Sequence, residues 1–182
     1  MKKERPLLIM SEIAIMAALA FVLDLMTLLR FWPQGGNVSL AMVPLLLIAF
    51  RRGWKVGVAT GFVFGLLNMT VNPYIVNWLQ GILDYPVAFA VVGFAGIFKI
   101  SVKVSLKNQV VMIIAGTVFG IGLRLLCHFT AGVVWFREFA PEGTPVAIYS
   151  LTYNASYLAF SFIVCLIVLL LLHRGSKRLF HP

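Results

Sequence analysis

The chain has 182 residues, of which 61% are hydrophobic and only 12% charged, with a mean hydropathy of +0.97. A soluble domain carries about twice that charged fraction, so the composition excludes a soluble enzyme and points to one compact membrane-embedded helical bundle. The net charge of +9 does not call for nucleic acid, because basic residues in a membrane protein mark the loops that stay in the cytoplasm.

Apolar runs predict six spans, at 7–29, 38–50, 54–71, 75–98, 110–132 and 148–172, forming a single domain over residues 1–182. The first is read as a retained span, since no A-x-A cleavage pattern follows it. It carries the small-residue spacing Ala14 and Ala18, helped by Ala17. The connection RFWPQGGNVS leads to a second span that is short for a bilayer of about 30 Å. The third repeats glycine every four residues, at Gly53, Gly57, Gly61 and Gly65, a smooth face suited to close backbone approach within the bundle. The fourth holds Asn77, Gln80 and Asp84 on one face. The fifth holds Arg124 and His128, one helical turn apart. After the connection WFREFAPEGTP, the sixth presents Ser150, Asn154, Tyr157 and Ser161 as a stripe.

Of fifteen Lys and Arg residues, twelve fall in one set of connections: Lys2, Lys3, Arg5, Arg51, Arg52, Lys55, Lys99, Lys103, Lys107, Arg174, Lys177 and Arg178. Only Arg30 and Arg137 fall in the other, and Arg124 is within a span. The positive-inside rule therefore puts both termini in the cytoplasm. Asp84 then lies roughly 10–14 Å below the outer end of its span, at 1.5 Å per residue, and the polar groups of the last three spans share its depth. Polar groups at one depth in a bilayer line a cavity, here one open to the outside.

Aromatic residues gather near the same level: Trp32, Tyr74, Trp78, Tyr85, Trp135, Phe136, Tyr149 and Tyr153. Rings around a carboxylate suit a flat cationic heteroaromatic ligand. Each residue also has a structural reading. Asp84 can pair with Arg124, Trp78 and Trp135 can belong to an interfacial belt, and Asn154 can join helices. Asp84 and His128 can also be read as the acid and base of an intramembrane enzyme, but no nucleophile motif or metal cluster accompanies them. As titrating groups of a solitary proton-coupled carrier they lack the usual internal repeat. The two cysteines, Cys127 and Cys165, indicate neither a disulfide framework nor a metal site. No G-x-x-x-x-G-K-[ST] is present, so ATP-driven transport needs another subunit.

The stretches SEIAIMAALAFVLD, WPQGGNVS, PLLLIAFRRG, QGILDYPVAFAVVGFAG, RLLCHFTAGVVWF and FAPEGTPVAIYSLTYNASY together resemble the thiamine-specific S components of energy-coupling-factor (ECF) vitamin transporters, the ThiT family. The resemblance runs through essentially the whole chain. It implies an all-α membrane protein with the six-helix S-component fold, without enzymatic activity or cofactor, that captures extracellular thiamine at the bacterial plasma membrane. It implies that Asp84 holds the aminopyrimidine and that Tyr85, His128, Gly132, Tyr149 and Asn154 are binding positions. Trp32 lies in the loop that closes over the ligand, and Trp135 or Phe136 stacks on it. Ala14 and Ala18 match the face that docks on a transmembrane coupling protein, which two ATPase subunits complete. Within the resemblance, another vitamin or a thiamine precursor is the alternative substrate.

Overall fold

The computed structural model describes residues 6–71 and 73–181. Lys2, Lys3 and Arg5 of the basic set lie outside the described residues. The described residues form six main helices: α1 (Pro6–Leu25), α2 (Met42–Arg52), α3 (Trp54–Asn68), α4 (Trp78–Phe98), α5 (Leu106–Trp135) and α6 (Val146–Gly175). Helices α1, α4, α5 and α6 are long and apolar enough to cross a membrane.

Helix α2 has 11 residues, and all of Met42 to Phe50 are buried. A helix that is apolar all round belongs inside a core, and α2 touches each of the other five long helices. At 1.5 Å per residue it is about 17 Å long, too short to cross a bilayer. The short second span expected over 38–50 takes the form of a central pillar over Met42–Arg52, with 26–41 irregular apart from an antiparallel bridge between Leu29 and Val38. Gly53 ends the pillar with φ of 92°, a left-handed conformation that suits glycine, and α3 starts at the next residue.

The glycine face of α3 is spent on internal packing. A Cβ at Gly61 would lie 2.1 Å from the carbonyl oxygen of Phe89, and one at Gly57 2.8 Å from that of Gly93. The backbones of α3 and α4 therefore meet with no side chain between them.

Helix α4 is not regular. Asn77 caps it by accepting from the Leu79 amide at 2.9 Å. Leu83–Val87 then forms a π turn, and Gly93–Phe98 tightens to 3₁₀ geometry. Pro86, inside the π turn, has no N–H to give to a regular α-helical ladder. The wide turn holds Asp84 and Tyr85, in keeping with the frequent use of π turns at functional sites.

The basic end of the bundle is tied together by polar side chains. Glu12 of α1 accepts from Arg52 at 2.5 and 2.7 Å and lies 3.5 Å from Arg51. Arg51 also donates to the carbonyls of Arg178 and Leu179. The buried Phe180 ring packs on His173, which bonds Gln109 at 2.8 Å. The opposite end carries the cavity described below.

The glycine packing is testable with one chemical change at two places. Gly61→Ala is expected to destabilise the detergent-purified protein by about 2 kcal/mol through overpacking. Gly122→Ala, whose Cβ meets nothing within 4 Å, is expected to leave the unfolding midpoint unchanged or raise it slightly, since alanine favours helix. Equal shifts in thermal unfolding would contradict the α3–α4 contact.

Candidate functional site: a two-acid cavity

A carboxylate within a membrane-spanning helix needs partners, and Asp84 has them from two directions. On its own helix, Gln80 Nε2 donates to Asp84 Oδ2 at 2.7 Å. Gln80 is almost fully buried and is anchored in turn, accepting from the Val76 amide and donating to the Tyr74 carbonyl. From α5, His128 Nδ1 lies 2.8 Å from Asp84 Oδ1. Arg124 Nε donates to the other ring nitrogen, His128 Nε2, at 3.1 Å. Guanidinium groups only donate, so Nε2 accepts and the imidazole proton is on Nδ1, facing Asp84. The positive charge of Arg124 thus reaches Asp84 through the imidazole. The direct Asp84–Arg124 pair open from sequence does not form. Arg124 sits instead on the face of Phe89, 4.1 Å from the ring centroid.

Helix α6 is fixed to α5 by its polar stripe. Asn154 Nδ2 donates to the His128 carbonyl at 3.2 Å and to the Ser150 carbonyl at 2.9 Å, while its Oδ1 accepts from Tyr157 at 3.0 Å. Ser150 donates to the Phe129 carbonyl at 2.8 Å. Ser150, Asn154, Tyr157 and Ser161 are all buried. Gly132 allows this approach: a Cβ there would lie 2.1 Å from Ser150 Oγ.

These contacts surround a cleft with about 750 Å³ of empty space, partly open to solvent, within the range of small-molecule sites. Asp84, Tyr85, His128, Gly132, Phe136, Tyr149 and Asn154 all line it. The Tyr85 hydroxyl accepts from the Tyr74 amide at 2.7 Å. Phe136 stacks on Tyr74, with ring centroids 5.9 Å apart. Trp135, its neighbour, is not part of the lining. Trp32 lines an adjoining cavity, where its indole donates to Ser156 at 2.7 Å and its ring meets Tyr157 edge-on. Gly35 to Asn37 line both, held to α6 by the bond from the neighbouring Gln34 amide to the Tyr153 hydroxyl.

Sequence reasoning missed Asp24 as a cavity residue. It lies in the last turn of α1, is buried, and lines both cavities, with Ser39 donating at 2.8 Å and Asn68 at 2.6 Å. Its place at the outer end of a span, level with the polar groups of the later helices, was the available signal. Among the described residues, no three His, Cys, Asp or Glu side chains gather as a metal site. Both cysteines are free.

The chain is thus a membrane helical bundle with an acid-lined, aromatic-walled cavity at the end opposite its basic loops. Its fold is that of the S component of a bacterial ECF transporter, matched by a solved structure at TM-score 0.66 and 20% identity, over 96% of this chain and 98% of that one. The particular family follows from closer relatives. Residues 10–181 match the model of the thiamine transporter protein family. The thiamine transporter ThiT of Bacillus subtilis is 42% identical over 98% of this chain and 97% of its own. The solved ThiT of Listeria monocytogenes aligns with a TM-score of 0.87 at 30% identity, covering 97% of this chain and 98% of that one. The chain belongs to the thiamine transporter protein family.

The charge coupling across the site gives a prediction. Asp84→Asn and Arg124→Met each leave one partner of a buried relay uncompensated. The double variant is therefore expected to be more stable than the sum of the two single losses predicts, by at least about 1 kcal/mol. Additive shifts in denaturant unfolding would show that the two charges do not communicate through His128.

Proposed function

We propose that the chain is the substrate-capturing S component of an ECF-type transporter, binding thiamine from outside the bacterial plasma membrane with both its termini in the cytoplasm. The observation that carries the reading is Asp84, oriented by Gln80 and His128 within a cavity walled by Tyr74, Phe136 and Tyr149. Thiamine joins a neutral aminopyrimidine, which presents N–H donors, to a permanently cationic thiazolium. Asp84 accepts from the amino group, and the Phe136 and Tyr149 rings supply flat apolar surface for the pyrimidine. Tyr85, His128, Gly132 and Asn154 complete its surroundings. Trp32, one cavity away, closes the site from the loop side. Trp135 lies outside the lining, which leaves the stacking role to Phe136.

Transport energy comes from partners. Ala14 and Ala18 are exposed on α1, a helix whose buried side chains are Ala17, Ala20 and Asp24. This free small-residue face suits sliding contact with a transmembrane coupling protein, which two ATPase subunits complete. Small residues let helices approach closely without interlocking.

Three experiments test the reading. Intrinsic tryptophan fluorescence of the purified protein is expected to change saturably with thiamine at submicromolar concentration, and not with riboflavin or biotin. Asp84→Asn is expected to weaken thiamine at least tenfold, about 1.4 kcal/mol, through loss of a charge-assisted bond. Unchanged affinity would return Asp84 to a structural role. Ala14→Leu and Ala18→Leu are expected to keep thiamine affinity in detergent and lower uptake by cells expressing the full transporter by tenfold or more. Full uptake would reject α1 as the docking face.

A further inference from the structure

The cavity holds two buried acids whose electrostatic situations differ. Asp84 is joined to Arg124 by hydrogen bonds through His128. Among the described residues, the Asp24 carboxylate has no bonded link to a cation and feels Arg124 only through space. Ion pairs among the described residues include Arg51–Glu12, Arg52–Glu12 and His128–Asp84. Asp24 takes part in none of them. Both its oxygens accept from neutral donors, Ser39 Oγ and Asn68 Nδ2. Arg30, in the connection after α1, donates to Thr27 Oγ1 at 3.2 Å and lines the adjoining cavity with Asp24 without forming an ion pair to it. Asp24 also sits at the C-terminal end of α1, where the helix dipole disfavours a negative charge. A buried carboxylate that is neither paired nor helped by its helix is maintained against a standing penalty, on the wall common to both cavities.

We propose that Asp24 is the counter-ion for the fixed positive charge of the ligand, so that the site divides its two acids: Asp84 hydrogen-bonds the neutral ring and Asp24 neutralises the cationic one. The proposal rests on the thiamine reading above. A thiazolium nitrogen carries no proton to donate. It is recognised by charge and by aromatic surface rather than by a directed hydrogen bond. Asp24 fits that task. Ser39 and Asn68 occupy and orient its oxygens without removing its charge, and Tyr85 lies on the same wall. If Asp24 only tethered α1 to the connecting segment and to α3, an asparagine would serve almost as well, and the charge of the ligand would not matter.

The test is isothermal titration of the full chain in detergent with two probes: thiamine, and 3-deazathiamine, in which an uncharged thiophene replaces the thiazolium. Asp24→Asn is expected to weaken thiamine at least tenfold while changing 3-deazathiamine less than twofold. Asp84→Asn is expected to weaken both. Equal loss for the two ligands in Asp24→Asn would make the residue a structural tether and overturn the proposal, and so would unchanged thiamine affinity. If Asp24→Asn does not fold, the unmodified chain still decides, since a tenfold or greater preference for thiamine over its neutral isostere is required and equal affinity overturns the proposal. Absence of thiamine binding by the unmodified chain would instead overturn the functional reading on which it stands.

Discussion

The arrangement of the cavity depends on the placement of one negative charge at membrane depth. An unpaired carboxylate there is unfavourable by several kcal/mol, so Asp84 must be surrounded before it can act. Gln80 holds it from its own helix, and His128 holds it from α5 with Arg124 behind. The same His128 offers its main-chain carbonyl to Asn154 of α6. One residue thus joins the charge relay to the α5–α6 seam, and three helices converge because a single acid needs satisfying.

Around that acid the bundle is organised by size rather than by charge. A wholly buried α2 serves as the axis, and glycines set how closely neighbours approach. Where α3 meets α4 the contact is main chain against main chain. The adjoining stretch of α4 departs from regular α geometry at the π turn that contains Asp84 and Tyr85. Close packing at Gly57 and Gly61 and an irregular turn at Pro86 are therefore parts of one local solution. The first holds the helix in place and the second re-aims two of its side chains into the cavity.

Much of this was legible in the sequence, for identifiable reasons. The α6 stripe and the Asp84 face follow from helical spacing, and shared depth follows from the distribution of lysine and arginine. The glycine face of α3 was legible as packing. The partner of Asp84 was not, since opposite charge favours Arg124 whereas the intervening imidazole is a matter of three-dimensional reach. Trp135 and Phe136 are adjacent at a helix end, where a change of about 100° in direction separates cavity from exterior, and sequence does not resolve that angle. Asp24 was only one acid among six, because its partners Ser39 and Asn68 come from an irregular segment and a different helix. The π turn has no signal beyond a proline.

The shortness of α2 has a consequence for how the site changes over generations. Because the pillar is protein-solvated and stops well short of a bilayer's thickness, irregular chain occupies the space above it, and the Gly35–Gly36–Asn37 part of that chain forms a wall of the cavity. Irregular main chain at membrane depth is tolerated where it lines a cavity inside protein. A wall of this kind has a shape set largely by peptide groups, which point mutations do not replace. The side-chain walls of α4, α5 and α6 can drift one codon at a time, whereas remodelling the opposite wall takes insertion or deletion between residues 26 and 41. Selectivity in such a protein is expected to evolve smoothly on one side of the ligand and in steps on the other.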